Sequence, residues 1–113
     1  MLVPGGRLCV CVTHPTTDAG RFESKEPDAP FVIAGSYLGR HRIEEPFQRD
    51  GLLITFIGWR YSLEEYARAL EDGGLLIERL REPPAPPALT ARPGYERWQR
   101  LPNFLHLRAV KPA

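Results

Sequence analysis

Residues 59–83 constrain the fold most, because they predict a helix that leads directly into a strand. Ser62 is placed to cap the helix, and Glu65, three residues on, gives the spacing of a capping box. Apolar residues recur at helical spacing along one face, Leu63, Tyr66, Ala67 and Leu70. The Gly73-Gly74 pair favours the end of a helix, and strand-forming residues follow from Leu75. This unit therefore needs a sheet against which its helix can pack.

Four further segments supply strands for such a sheet. Residues 7–13 are apolar on both faces, which is typical of an interior strand in a parallel or mixed sheet. Residues 36–47 and 52–59 predict the two strands of a hairpin, because Asp50-Gly51 between them is a strong turn signal. Residues 104–110 alternate in pattern and predict a closing strand.

The remaining segments carry turn and loop signals. Residues 14–34 are polar and predict a loop with one short turn of helix, of the kind that often forms a lid. Residues 83–87 contain four prolines, and an extended connector is favoured over a proline-recognition ligand. Residues 94–100 predict a short helix. No internal repeat is visible, and residues 1–113 are expected to form a single domain.

Charge and hydropathy exclude several classes of function. The formal net charge is +1 and the basic residues are spread along the chain, so a nucleic-acid partner is not expected. No apolar run is long enough to cross a bilayer, and the first residues lack the features of a signal peptide. The chain is therefore expected to be cytoplasmic, without a membrane partner.

Cys9 and Cys11 would lie on one face of the first strand, where neighbouring side chains are poorly placed for a disulfide. A thiolate metal site would need a second pair of ligands, and none of the three histidines has metal-ligand spacing to another. We therefore predict no metal, and we interpret both cysteines as buried core residues. The two isolated strand histidines, His41 and His106, are interpreted as partly buried structural residues.

The order and spacing of four pieces of this sequence resemble the C-terminal half of class I S-adenosylmethionine-dependent methyltransferases. These pieces are LVPGGR at 2–7, SLEEY at 62–66 with the Gly73-Gly74-Leu75 run, ERLREP at 78–83 and PNFL at 102–105. The likeness covers nearly the whole chain. It implies an α/β, partial Rossmann-like methyltransferase fold of the small-molecule type. Its mixed sheet would have a reversed last strand, with an inserted β-hairpin. Residues 7–13 and 75–81 would be the fifth and sixth strands of that fold, with residues 104–110 inserted between them.

The resemblance also implies S-adenosylmethionine as the cofactor, but not a site for it in this chain. There is no G-x-G-x-G loop and no acidic residue that ends a second strand. The cofactor-binding half is therefore expected to be absent, and the chain to be a fragment, a split-gene product or the result of a misread start. On this hypothesis it is the acceptor-binding portion of a methyltransferase and is inactive alone.

Two other hypotheses remain open at this point. One is a non-enzymatic, dimeric ligand-binding or assembly module derived from the same fold. The other is a small α+β protein unrelated to methyltransferases, which requires that the first strand does not pair with the closing strand. On the methyltransferase hypothesis and on the assembly-module hypothesis, the first strand exposes an apolar edge. Such an edge predicts a homodimer or association with a separate cofactor-binding subunit.

No catalytic or cofactor-binding residue is predicted. Five residues are expected to contact a small-molecule acceptor, His14, Phe22, Tyr37, Trp59 and Arg60. His14 follows the first strand at its carboxyl end, where ligands bind in open α/β sheets. It would act as a base or a substrate contact, or alternatively bond to the backbone of its loop. Phe22 and Tyr37, together with Phe31, would line the acceptor pocket or else pin the loop to the core.

Trp59 and Arg60 precede the helix cap, where many members of the family carry His-Arg. The tryptophan is therefore a departure from the family pattern. Arg60 would bind an acceptor carboxylate, or alternatively form a surface ion pair with Glu64 or Glu65. The adjacent Glu44-Glu45 pair would point to opposite faces of a strand, so it is not predicted to be a catalytic pair.

Overall fold

The computed structural model of the protein describes residues 2–113 except the side chains of Phe47 and Arg49. Seven strands are β1 (Arg7–Thr13), β2 (Gly20–Phe22), β3 (Phe31–Ile33), β4 (Arg40–Arg49), β5 (Leu52–Tyr61), β6 (Leu76–Arg81) and β7 (Phe104–Val110). Three helices are α1 (Pro15–Asp18), α2 (Leu63–Asp72) and α3 (Pro87–Thr90), with a 3₁₀ turn at Glu96–Gln99. Across the described range, no helix is long and apolar enough to cross a membrane.

The closing strand β7 lies in the middle of a three-stranded sheet with the order β1-β7-β6. It is antiparallel to both neighbours, with Val10 opposite Leu107 on one side and Leu80 opposite Leu107 on the other. The strands β1 and β6 are therefore parallel to each other. This arrangement confirms the predicted mixed sheet with a reversed last strand between the other two. The hypothesis of an unrelated α+β protein, which required β1 and β7 not to pair, is wrong.

The hydrophobic core lies on one face of this sheet, under α2. Alternate residues of β7 are buried there, and Leu70 of α2 packs against them. The buried β7 residues are Leu105, Leu107 and Ala109, and partly buried neighbours complete the cluster, Val10, Val12, Tyr66 and Leu75. The alternate residues of β7 and the apolar residues at helical spacing on α2 thus pack against each other in one core.

The opposite face of the sheet is open, and it carries both cysteines. The interpretation of Cys9 and Cys11 as buried core residues is wrong, because both are exposed. The register explains this result: Val10 and Val12 point towards α2, so the cysteines point to the other face, which no described element covers. His106 lies on that face opposite Cys11 and is exposed, so its expected partial burial is also wrong.

Helix α2 begins after Ser62, as predicted, but the capping box does not form. The Ser62 side chain makes no cap hydrogen bond. The phenol oxygen of Tyr37 instead accepts the Leu63 N–H at 2.9 Å, which satisfies one of the free amides of the first turn. On the exposed side of the helix, Glu64 and Arg68, four residues apart, form an ion pair at 2.6 Å.

The predicted hairpin is present as β4 and β5. Its turn contains Asp50 and Gly51 with φ of 52° and 77°, the left-handed values that the Asp-Gly turn requires. The first strand begins at Arg40 and not at residue 36, because the Ser36 hydroxyl accepts the Leu38 N–H at 3.1 Å and bends the chain there. Most apolar residues of β5 are exposed.

Three short elements were not predicted from the sequence. Within residues 14–34, α1 is the expected turn of helix, but the three-residue strands β2 and β3 also pair there. Beyond the extended prolines, α3 begins at Pro87, since a proline suits the first position of a helix. The predicted helix at residues 94–100 is present as a 3₁₀ turn.

Three strands are linked on the open face by an ion cluster around Glu78 of β6. Its carboxylate accepts from Arg7 of β1 at 2.8 Å and from Arg108 of β7 at 3.3 Å. The hydrogen bond from Arg7 lowers the pKa of the Glu78 carboxyl below its ordinary value. Partial burial opposes this change, and the charge of Arg108 adds to it. The ionised form of Glu78 is therefore favoured in the folded state.

Because the pKa of Glu78 is lower in the folded chain, the stabilisation from this cluster should be present above the ordinary value of 4.5 and disappear as pH falls through the folded pKa. The free energy of unfolding by urea, measured from about pH 3 to about pH 7, should show this for the wild type against Glu78→Gln. The difference should be constant at the upper end and shrink at acid pH. The exposed Glu71→Gln variant is the control, and a difference independent of pH would contradict the prediction.

Candidate functional site

A crevice of about 470 Å³ lies between the small β2–β3 hairpin and the long β4–β5 hairpin, next to the end of β1. One wall is the turn from α1 into β2 with the end of β3, and the other is β4 with Arg60 of β5. The lining residues that carry charge are Asp18, Arg21, Arg42, Glu44, Glu45 and Arg60. An adjoining hollow shares part of this wall and reaches Phe56. The crevice is therefore polar and of a size that suits a small molecule.

Asp18 is the last residue of α1, and its side chain is hydrogen-bonded to the last residue of β1. The Thr13 hydroxyl donates to its Oδ2 at 2.6 Å, and the Asp18 N–H donates to the His14 carbonyl. Burial raises the pKa of the nearby Tyr66 phenol, and the negative charge of Asp18 raises it further. Asp18 therefore presents a fixed carboxylate at the crevice, close to a phenol that keeps its proton.

Two pairs of opposite charge lie along the crevice, and both are well exposed. Arg21 is 3.8 Å from Glu45, and Arg42 is 3.0 Å from Glu44. Exposed pairs of this kind contribute little to stability, so they separate at small cost. Glu44 and Glu45 oppose Ile57 and Phe56 in the hairpin register and so point to opposite faces, as predicted.

Arg60 has a different environment from the other arginines of the crevice. Its Nη2 donates to the Ser36 carbonyl at 3.1 Å, and no carboxylate of the described residues forms an ion pair with it. The surface pair expected with Glu64 or Glu65 is not formed; Glu64 pairs with Arg68 instead. The Arg60 guanidinium thus retains a positive charge that no protein carboxylate neutralises.

The narrow base of the crevice depends on Gly20. A Cβ atom at this position would lie 2.2 Å from the Val32 carbonyl oxygen and 2.9 Å from the Phe31 ring. The first of these contacts involves backbone, which cannot move aside without separating β2 from β3. A side chain at residue 20 is therefore incompatible with the hairpin that forms this wall.

His14 is buried and lies outside the lining of the crevice. Its Nδ1 accepts the Thr16 N–H at 3.1 Å and so caps α1, and its Nε2 is 2.6 Å from Glu82. Because Nδ1 accepts an amide proton, we assign the ring proton to Nε2, which donates to the Glu82 carboxylate. Both ring nitrogens are occupied, and the contact joins the carboxyl ends of β1 and β6.

The other predicted substrate contacts are dispersed. Phe22 packs edge-on against Phe31 and Trp98, with ring centroids 5.2 and 5.0 Å apart, and this cluster holds the loop to the closing segment. Tyr37 caps α2, as described above, and Trp59 is exposed on the long hairpin. Of the five predicted residues, Arg60 alone lies in the crevice lining as described.

Sequence reasoning missed Asp18 and Arg21, which line the opposite wall. They belong to the segment that was expected to be an irregular loop. One signal was available, since Pro15 after His14 allows a helix to begin there and brings Asp18 back over β1 one turn later. The pairing of β2 with β3, which directs Arg21, has no comparable signal.

The described residues do not fit S-adenosylmethionine. The chain continues from the carboxyl ends of β1 and β6 with Pro15 and Pro83, and neither position has a glycine turn with free amides to contact a nucleotide. Three arginines line the crevice beside three carboxylates, so the lining offers a sulfonium cation no excess of negative charge. Within the described residues, no group of three or more metal-binding side chains occurs.

The contacts of His14 predict a structural effect that can be measured. His14→Ala removes both the cap of α1 and the partner of Glu82, and should lower the free energy of unfolding by about 1–3 kcal/mol. His14→Asn retains a capping oxygen and should recover part of the loss. Glu82→Ala, which leaves the cap intact, should cost less than His14→Ala in the same urea titration. Unchanged stability of His14→Ala would contradict the assigned contacts.

Comparison with known proteins agrees with the fold. No protein-family model and no curated protein sequence matches the chain. A protein assigned as an S-adenosylmethionine-dependent methyltransferase from Listeria monocytogenes is similar in structure, with a TM-score of 0.69 and 19% identity. An S-adenosylmethionine-dependent methyltransferase from Mesorhizobium loti has a TM-score of 0.62 and 27% identity. The matches cover 97% and 96% of this chain but 50% and 49% of those proteins, so the chain spans about half their length. The chain therefore has a partial methyltransferase fold, as the resemblance in its sequence predicts.

Proposed function

We propose that this chain is the acceptor-binding portion of a cytoplasmic S-adenosylmethionine-dependent methyltransferase, and that it is inactive without a cofactor-binding half. The proposal is supported by the similarity to about half of each of two methyltransferase structures. It is also supported by the absence of a glycine-rich cofactor loop from the sequence. The acceptor is a small molecule, because the crevice of about 470 Å³ has the volume of a small-molecule site.

The observation that carries the proposal is the position of Arg60 in this crevice. Arg60 lines the crevice with no carboxylate partner in the described chain, and Asp18 presents a negative charge on the opposite wall. A guanidinium binds a carboxylate or phosphate in a fixed, bidentate geometry. We infer that the acceptor carries an anionic group, which Arg60 binds, and that Asp18 receives a hydrogen bond from a hydroxyl or amino group of the acceptor.

The proposed partner is a separate cofactor-binding subunit that pairs with the edge of β1. This strand is apolar on both faces, yet it lies at the edge of the described sheet and most of its residues are exposed. The open face beside it forms a hollow of about 490 Å³ that includes Cys9, Cys11 and His106. A strand and a helix from another subunit would cover the β1 edge and the open face. Monomeric proteins seldom expose an apolar strand edge or a large apolar patch to solvent.

The alternative function is a non-enzymatic, dimeric ligand-binding or assembly module derived from the same fold. It is favoured by the exposed apolar residues of the long hairpin, which suit assembly irrespective of chemistry. The two functions differ in their expected response to a cofactor-binding subunit. Methyl transfer to an anionic acceptor after such a subunit is added would favour the enzyme, and lack of association would favour the module.

The chain alone should not bind S-adenosylmethionine. Isothermal titration calorimetry should give no saturable heat, and the melting temperature should not rise with the cofactor, because a ligand stabilises only a state that binds it. A complete methyltransferase titrated under the same conditions is the control. Saturable binding to the isolated chain would contradict the proposed absence of the cofactor half.

Arg60→Ala should weaken binding of small anionic acceptors to the crevice by roughly tenfold or more, the effect of losing one charge-assisted contact. Small carboxylic acids that carry an amino or hydroxyl group can be titrated while amide NMR signals of the chain are followed. We expect shifts at Arg21, Glu45 and Arg60. Arg68→Ala, which removes an arginine from the exposed side of α2, is the matched control and should bind like the wild type. Equal binding by both variants would exclude Arg60 as the anion contact.

A further inference from the structure

The outer edge of the long hairpin lacks the protection that exposed strands usually have. From Leu52 to Trp59, β5 contains no charged residue and no proline. The other strand of the hairpin has several such residues, Arg40, Arg42, Glu44, Glu45 and Pro46. Natural edge strands are normally blocked by charge or proline, because their free N–H and C=O groups pair readily with another strand. In the described chain, β5 pairs with β4 alone, so no strand pairs with its other edge.

The side chains of this strand are exposed on both faces. Successive residues of a strand point in opposite directions, so the exposed set covers both sides of the hairpin. Six apolar residues are between 48% and 76% exposed, Leu52, Leu53, Ile54, Phe56, Ile57 and Trp59. A two-stranded hairpin is marginally stable in water and needs an additional strand or a packed face. The hairpin thus has an edge without a paired strand and is a two-stranded sheet that a further strand would stabilise.

We propose that β5 pairs antiparallel with β5 of a second copy of this chain, so that two hairpins form one continuous four-stranded sheet. Two-fold symmetry places identical segments against each other, and a charged strand would then face its own charges. The run from Leu52 to Trp59 avoids this repulsion because it is uncharged. In a register centred on Phe56, Leu53 of one copy lies opposite Trp59 of the other, and apolar residues extend each face across the dimer.

The exposed apolar area is smaller than that of a standard interface. Six side chains with about 100 Å² exposed on each present roughly 600 Å² per copy, of which edge pairing covers a part, whereas a standard interface buries about 800 Å² per partner. The main-chain hydrogen bonds of the new strand pair therefore supply much of the affinity, as in other cases of strand addition. The uncharged strand also offers nothing to select a charged heterologous partner, which favours a second copy. This pairing uses β5 and not the β1 edge, so it is independent of the proposed methyltransferase function and of its cofactor-binding partner.

The test is sedimentation equilibrium of the full chain at increasing concentration, together with two matched variants. The wild type should dimerise, and Leu53→Lys/Ile57→Lys should raise the dissociation constant by roughly a hundredfold, since the register places positions 53 and 57 of one copy diagonally across from position 57 of the other, where like charges repel. Both side chains are exposed, so circular dichroism should show that the fold is retained. The matched pair of single variants is Leu53→Lys, which should weaken the dimer, and Gln48→Lys, which adds the same charge on β4 directly across from Leu53, one strand away from the interface, and should change the constant little.

Three outcomes would overturn the proposal. A wild-type chain that remains monomeric at millimolar concentration excludes the dimer. Equal weakening by Gln48→Lys and Leu53→Lys would indicate packing of hairpin faces and not pairing of edges. A dimer that withstands the β5 substitutions but dissociates with Cys9→Lys, on β1, would place the contact at the other sheet. None of these measurements uses a cofactor or an acceptor, so their failure is distinct from failure of the proposed function.

Discussion

The rest of the structure depends on the placement of β7 between β1 and β6. Its buried residues, Leu105, Leu107 and Ala109, form the centre of the core, and its hydrogen bonds hold together two strands that are far apart in the sequence. Because β7 runs opposite to both neighbours, the carboxyl ends of β1 and β6 emerge at the same edge. This arrangement allows the contact between His14 and Glu82. That contact in turn helps to fix the position of α1 and of Asp18. The candidate site is thus positioned by a strand that contributes no residue to it.

The same arrangement leaves the chain with a core on one side only. Helix α2 covers one face of the sheet, whereas Cys9, Cys11 and His106 remain exposed on the other. The charged side chains of Arg7, Arg108 and Glu78 make part of that face polar. The sequence of β1, however, is apolar on both faces. A strand of that composition is suited to the interior of a larger sheet. An apolar strand at an exposed edge is explained if another protein surface covers it. This is the physical basis for proposing a cofactor-binding partner.

Much of the fold could be predicted from the sequence, and the site could be predicted only in part. The strands β1 and β7, the start of α2 and the Asp-Gly turn were correct, because each depends on local periodicity or on a residue with a special backbone preference. The burial of the cysteines was not, because burial depends on what lies over a face and not on the residues of that face. The capping box failed for a similar reason, since Tyr37, distant in sequence, took the place of the local partner. Asp18 and Arg21 were missed because the short β2–β3 pair that directs them is specified by tertiary contact.

The charges of the crevice decide which of its residues are free to bind a ligand. Arg21 and Arg42 each have a glutamate within 4 Å, so a ligand anion must compete with a protein carboxylate at either position. Arg60 has a backbone carbonyl instead, which orients the guanidinium without neutralising its charge. A neutral ligand makes a weaker bond with a charged arginine than an anion does, so an anion gains most from this position. Among the arginines of the crevice, Arg60 is therefore the residue whose interactions within the chain leave the most to be satisfied by a bound anion.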